Sequence, residues 1–325
     1  RIAGSGPRLS PEETEEVVRD LRGHAARAQD FVAEHTGLSA TTSTAPVAVV
    51  DRGGWAQANA DAFAVLLAPV MERMSQKRTG ASPLDPLGRR LTGVELGVML
   101  GFLASKVLGQ YDPYLVAHDG ERIVEQGRLL LVAPNIVEVE RQLGVMPDDF
   151  RLWVCLHEEA HRVQFGATSW LADFFSAEVD TYLMAADVGT AEALRRLAEL
   201  VKTLARILAG DPEASMVSAV QNEAQQEIFE RLSALMALLE GHAEWVMDAV
   251  GTSAIPSLPR LRAAFERRRA HPDGADGLVR RLMGMDAKLR QYSSGRAFVS
   301  EVVDSVGVDG FNRVWRSPEM LPSIA

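Results

Sequence analysis

The chain holds a single cysteine, Cys155. No intrachain disulfide can form, so a disulfide-built secreted fold is excluded and a reducing cytosol is the expected compartment. Lysine is nearly as scarce. Only Lys77, Lys106, Lys202 and Lys288 stand among the 34 basic residues, which count against 44 acidic ones for a net charge of −10. Such a surface repels phosphate backbones and anionic headgroups, so neither nucleic acid nor a membrane surface is an expected partner. Long apolar runs are missing too. The longest, Leu96 to Ala104, is too short to cross a bilayer and soon meets Lys106. No secretory signal pattern is visible from Arg1 onward.

What remains is the profile of a globular protein: 325 residues, 47% hydrophobic and 24% charged. A chain of this length buries about three quarters of its surface and needs no staple to fold. The expected organisation is one domain over residues 1–325, with 251–259, rich in Gly251, Pro256 and Pro259, as the candidate sub-boundary.

The patterning is mainly α. Ser10-Pro11-Glu12-Glu13 is a capping box with proline at the first helical position, opening a helix to about His35. Val47–Val50 is a short apolar run before a turn at Asp51–Gly54, and a helix follows from Trp55 to Met74. A second capping box, Thr92–Glu95, opens a helix to Leu108 that is apolar all round and is expected to be central and buried. Tyr111–Val116 and Arg128–Ala133 are β-prone runs around a polar loop. They predict a small β element near residues 111–133, and Arg128–Ala133 is the strand expected to offer an edge to an extended peptide. Further helices are predicted at 137–143, 147–164, 169–188, 191–208 and 214–250, with more helix after 259.

The segment that carries chemistry is Leu156-His157-Glu158-Glu159-Ala160-His161. Residues four apart on a helix lie about 40° apart on one face, so His157 and His161 can address one ion. Neutral imidazole is a good zinc ligand, and Glu158 can serve as general base towards a metal-activated water. Pro147-Asp148-Asp149 starts the helix well upstream and leaves the motif in its middle. Cys155 faces away, about 200° from His157.

A catalytic zinc needs a third protein ligand. No histidine stands six residues after the motif, where Ala167 is found. The candidate segment is Leu239-Glu240-Gly241-His242-Ala243-Glu244. Glu240 is the expected ligand, and His242 and Glu244 are its rivals. His242 points about 200° away from Glu240, so the two cannot share an ion. Glu244, one turn on from Glu240, is placed to hydrogen-bond a ligand imidazole. Gly241 costs helix stability and is expected to offset this by letting the motif helix approach closely. Arg290 and Tyr292 are further candidates, for a substrate carboxylate and an oxyanion respectively.

Glu240-Gly241-x-Ala243 resembles the Glu-Gly-x-Ala segment that supplies the third zinc ligand in the aminopeptidase branch of the gluzincins. Here 78 residues separate it from His161, far more than in that branch. More of the chain resembles the zincin-like hydrolases or metallopeptidases of high-GC Gram-positive bacteria, which include a branch associated with biosynthesis of the deazaflavin coenzyme F-420. The matching residues are His157-Glu158-x-x-His161-x-x-Gln164-Phe165, Leu239 to Glu244 with Met247-Asp248, Lys288 to Tyr292, Gly295, Phe298-Val299, Phe311, Trp315 and Pro318-Glu319-x-Leu321-Pro322. The resemblance implies a helical zincin-like fold and a zinc site, while the family has no settled substrate. The motif's chemistry makes a zinc-dependent hydrolase the expectation, acting on a peptide or a small amide. The alternative it leaves open is a zinc-containing scaffold or an accessory protein of deazaflavin coenzyme biosynthesis.

Overall fold

A computed structural model describes residues 4, 6–38, 46–77, 97–98, 100–119, 122–185, 223–270 and 285–322. The predicted helix at 191–208 and the capping box at Thr92 lie outside the described residues; of the stretch Ser75–Arg90, expected as a surface loop, Ser75–Lys77 continue a helix and the rest lies outside the described residues. By Cα proximity the chain forms two units, one of residues 1–172 and 246–262, the other of 173–245 and 263–325. As expected, it is mainly α with one small sheet.

The first unit is built on α1 (Pro11–Thr36), whose Ser10 and Glu13 form the expected capping box and whose end is closed by Gly37 in the left-handed conformation. Leu21, Ala25, Ala28 and Val32 form its buried stripe, at the three- and four-residue spacing that puts them on one face. The strands are β1 (Val47–Val50), β2 (Gly109–Asp119) and β3 (Arg122–Val132), with α2 (Arg52–Lys77) after β1. The hairpin is longer than predicted, and β3 lies in the centre, parallel to β1 and antiparallel to β2. Leu129–Val132 is therefore hydrogen-bonded on both sides, and among the described strands the outer edges belong to β1 and β2. Leu129 to Val132 are all buried, as a sheet covered on both faces requires. Leu130 and Val132 pack with Trp55, Ala58, Leu100 and Ala104, leaving Leu129 and Leu131 to the opposite face.

The ladder between β2 and β3 is interrupted between Asp112 and Val116, at Pro113, which has no N–H to donate. Buried Asp112 replaces the lost pairing: its carboxylate accepts from the Tyr114 N–H at 3.1 Å and from Arg128 at 3.3 Å.

Leaving β3, Pro134 starts α3 (Ala133–Leu143) directly, and α4 (Pro147–Ala167) follows. Buried Asn135 fixes this corner. Its amide donates to the carbonyls of Ala104 and Val107, and its carbonyl accepts from Arg52 at 2.6 Å. Arg151 of α4 binds Glu140 of α3 through two hydrogen bonds and Asp20 of α1 through a third, tying the three helices together.

The central helix is α4. Phe150 through Leu156 are buried on every face. The all-apolar segment before β2 is not central: its described part buries Leu100 and Ala104, whereas Val98 is 47% exposed. Among the described residues, this helix packs on the sheet through Leu100, Leu103, Ala104 and Val107, so apolarity all round did not mark a central position.

The remaining helices are α5 (Leu171–Met184), α6 (Glu223–Ala254), α7 (Leu258–Ala270) and α8 (Met285–Phe311), followed by 3-10 turns at Asn312–Trp315 and Pro318–Met320. The break expected at 251–259 is narrow. Gly251, with φ at 67°, kinks the end of α6, and Ile255 to Ser257 link it to α7.

In the second unit α6 and α8 cross at backbone contact. A Cβ on Gly241 would lie 2.3 Å from the carbonyl carbon of Gly295, and one on Gly295 would lie 2.2 Å from the oxygen of Ala237. The close approach at Gly241 is thus made by α8, where the motif helix was expected. No helix among the described residues is long and apolar enough to cross a membrane.

Candidate metal centre

Helix α4 presents His157 and His161 side by side, as the spacing demands. Their Nε2 atoms are 3.2 Å apart, and the rings meet edge to face with centroids 4.7 Å apart. Each Nδ1 has a neighbour of its own. That of His161 lies 2.9 Å from Gln164 Oε1, one turn along the same helix. A carboxamide oxygen only accepts, so the His161 proton sits on Nδ1 and its Nε2 presents a lone pair. The Nδ1 of His157 lies 3.4 Å from the Met247 sulfur of α6. Glu244, expected to hydrogen-bond one of these rings, has its carboxylate 3.9 Å from Arg296 Nε.

Glu240 precedes Met247 by two helical turns on α6. Two nitrogens at about 2.05 Å from a tetrahedral ion are separated by ~3.3 Å, close to the spacing of the imidazole pair. The donors, two neutral imidazoles and a carboxylate, are the chemistry zinc takes in hydrolytic sites, so these residues fit that ion.

His242, the rival, is placed elsewhere. Its ring is 1% exposed and stacks on Phe311 and Trp245, with Trp315 at its edge. Two positions round the helix from Glu240, it belongs to the aromatic packing between α6 and the end of α8. Of Arg290 and Tyr292, the side chains lie outside the described residues.

Glu158 is 5% exposed and its carboxyl group lies against the backbone of Gly109, the first residue of β2. The neighbouring charges are buried as well. Glu159 and Arg162 form an ion pair one turn apart on the face of α4 away from the histidines. Burial raises the pKa of the Glu159 carboxyl, and the Arg162 guanidinium opposes that rise. Tyr111 of β2 packs by Phe165, its ring at 5.9 Å, and its hydroxyl fills the space over Gly127. Its pKa is pushed up to about 12, chiefly by burial, with Arg162 opposing. Cys155 is an inert core thiol: it points at the Leu21 carbonyl of α1 at 3.7 Å, and burial raises its pKa.

Three residues around the histidines escaped the sequence reading of roles. Gln164 could have been found from its three-residue spacing to His161. Met247 could have been found only if α6 were known to pass α4, and Gly109 only if the start of β2 were known to touch Glu158.

The chain belongs to the zincin-like metallopeptidase family, whose profile matches residues 1–325. It is similar to a crystal structure from Chloroflexus aurantiacus whose protein carries the provisional description of a hydrolase with a novel fold. The two share 31% sequence identity, with a TM-score of 0.65 over 97% of this chain and 87% of the other. No curated protein matches the chain. Family and neighbour together support a metal-dependent hydrolase.

Proposed function

We propose that the protein is a zinc-dependent hydrolase that cleaves peptide bonds or related small amides, with His157, His161 and Glu240 as the metal ligands and Glu158 as the general base. The observation that carries this reading is the pair of Nε2 atoms 3.2 Å apart on one face of α4; Glu240 is supported as third ligand by the likeness of Glu240-Gly241-x-Ala243 to the gluzincin segment.

When bound, zinc supplies Lewis acidity, polarising the scissile carbonyl and lowering the pKa of water to about 7. The chain's own residues do the rest. Gln164 holds the His161 tautomer, so that Nε2 and not Nδ1 faces the ion. Glu240 offsets one unit of the ion's positive charge. The Glu158 carboxylate takes a proton from the attacking water and passes it to the leaving nitrogen. The carbon gains the water's oxygen as the C–N bond breaks, and the amine leaves protonated.

The test is zinc content and turnover of wild type, Glu158→Gln and Glu240→Ala against a panel of fluorogenic peptides and small N-acyl amides. Glu158→Gln should keep its zinc and lose turnover by about 100-fold or more. Glu240→Ala should lose zinc on dialysis. Cleavage of peptides but not amides makes it a peptidase, and the reverse an amidase. A Glu158→Gln protein with wild-type turnover would remove the general base. A protein that binds zinc and cleaves nothing in the panel would favour the scaffold reading.

A further inference from the structure

The start of β2 and the carboxylate of the motif helix share one volume. A Cβ built on Gly109 would fall 2.6 Å from Cγ, 2.7 Å from Cδ and 2.8 Å from Oε1 of Glu158. Real Cβ atoms do not approach other heavy atoms so closely. The absence of a side chain at position 109 is therefore what leaves room for the acid.

Glycine has two uses: a backbone conformation closed to other residues, and lack of bulk. The first is not in play, because Gly109 is not among the glycines with positive φ. It pairs with Leu131 as an ordinary strand residue in the antiparallel ladder. Alanine could adopt the same backbone without strain. Only the second use remains, and the three atoms nearest that space are all from Glu158.

The direction of displacement also follows. Gly109 is held by the ladder to β3, whose Leu129 to Val132 are buried in the core. The carboxyl group, in contrast, is the far end of a flexible side chain. An added methyl would move the carboxylate before it moved the strand.

We propose that Gly109 is the positioning residue for Glu158: it sets where the carboxylate lies by leaving it a slot against the strand backbone. This rests on Glu158 being the general base, but the steric relation does not. A base must lie within hydrogen-bond reach of the proton it takes, and a displacement of ~1 Å can cost about 100-fold in rate. Strand β2 thus acts on the chemistry through its backbone position, without contributing a side chain.

The experiment is a cycle of four proteins: wild type, Gly109→Ala, Glu158→Ala and the double variant. Tm and zinc content are measured for each, and turnover on whichever panel compound the wild type cleaves. With Glu158 present, Gly109→Ala should lower Tm. With Ala at 158 the same change should leave Tm unchanged or slightly higher, since alanine restricts the unfolded chain more than glycine does. Zinc content should match wild type in Gly109→Ala, while kcat falls by about 100-fold at nearly constant KM. If Gly109→Ala fails to fold, a folded double variant supports the proposal and an unfolded one overturns it. Equal Tm shifts in the two backgrounds would overturn it, as would unchanged kcat in Gly109→Ala where Glu158→Gln has lost turnover. Retention of turnover by Glu158→Gln would sink the general-base reading alone and leave the steric coupling to be judged by Tm.

Discussion

Gly241 of α6 and Gly295 of α8 lie in backbone contact, so close that a Cβ on the first would sit 2.3 Å from the carbonyl carbon of the second. Helices packed through ordinary side chains keep their axes 8–10 Å apart. Here two glycines meet, and the residue immediately before the crossing is Glu240. The glycine that follows the proposed ligand is thus explained by helix packing, and the acid is carried on a rigidly located turn.

Gly241→Ala should therefore destabilise the protein, against the ~1 kcal/mol that alanine gains over glycine in an isolated helix. Overpacking of this kind costs about 1–3 kcal/mol net, and the obstacle is backbone, which cannot rotate away. Denaturant unfolding of Gly241→Ala and Gly295→Ala checks it. A variant as stable as wild type would show that the helices separate freely. Zinc retention should fall in both, because spreading the crossing moves Glu240.

The three acidic or imidazole candidates on α6 separate cleanly by metal content. Glu240→Ala should release zinc on dialysis, while His242→Phe should keep it, since its ring fills a place among Phe311, Trp245 and Trp315. Glu244→Gln should keep zinc as well. Metal loss from His242→Phe with retention in Glu240→Ala would reverse the assignment.

The ion pair of Glu159 and Arg162 is buried beside the motif. Removing one partner leaves an uncompensated charge, so Arg162→Met should cost about 3–5 kcal/mol. Replacing both, with Glu159→Leu added, should recover most of it. A double-mutant cycle by chemical denaturation measures the coupling. If Arg162→Met alone unfolds no more readily than wild type, the pair contributes nothing.

His24 of α1 sets a pH dependence. Its ring is buried, with Nε2 3.0 Å from the Asp148 carboxylate of α4. Burial lowers its pKa, with Asp148 and Asp20 opposing and Arg27 and Arg151 assisting. The unfolded chain then takes up a proton at a higher pH than the folded one. Stability from His24 is present above the ordinary imidazole pKa and is lost as pH falls through the lowered folded value. Thermal melts between about pH 7 and pH 5 should show a steeper decline for wild type than for His24→Gln. Parallel declines would count against it.

Much of the fold was legible because its signals are local. The capping box at Ser10 and the proline start of α4 each depend on residues within one turn of one another. Readings that needed a neighbour in space fared worse. Arg128–Ala133 was expected to offer an edge, but its Leu129–Val132 lie in the central strand, since β-propensity says nothing about strand order. The apolar segment before β2 looked central and is partly exposed, because its neighbours were not knowable from its own composition.

The same division runs through the site. A four-residue interval between two histidines fixes their spacing as soon as the segment is helical, because 3.6 residues per turn leave no other arrangement. That relation was written in the chain. What the tertiary structure alone decided is the company the motif keeps: Met247 beside His157, a glycine backbone against Glu158, aromatic rings closing round His242. These join segments far apart in sequence, and no periodicity reaches across a folded chain to say which surfaces will meet.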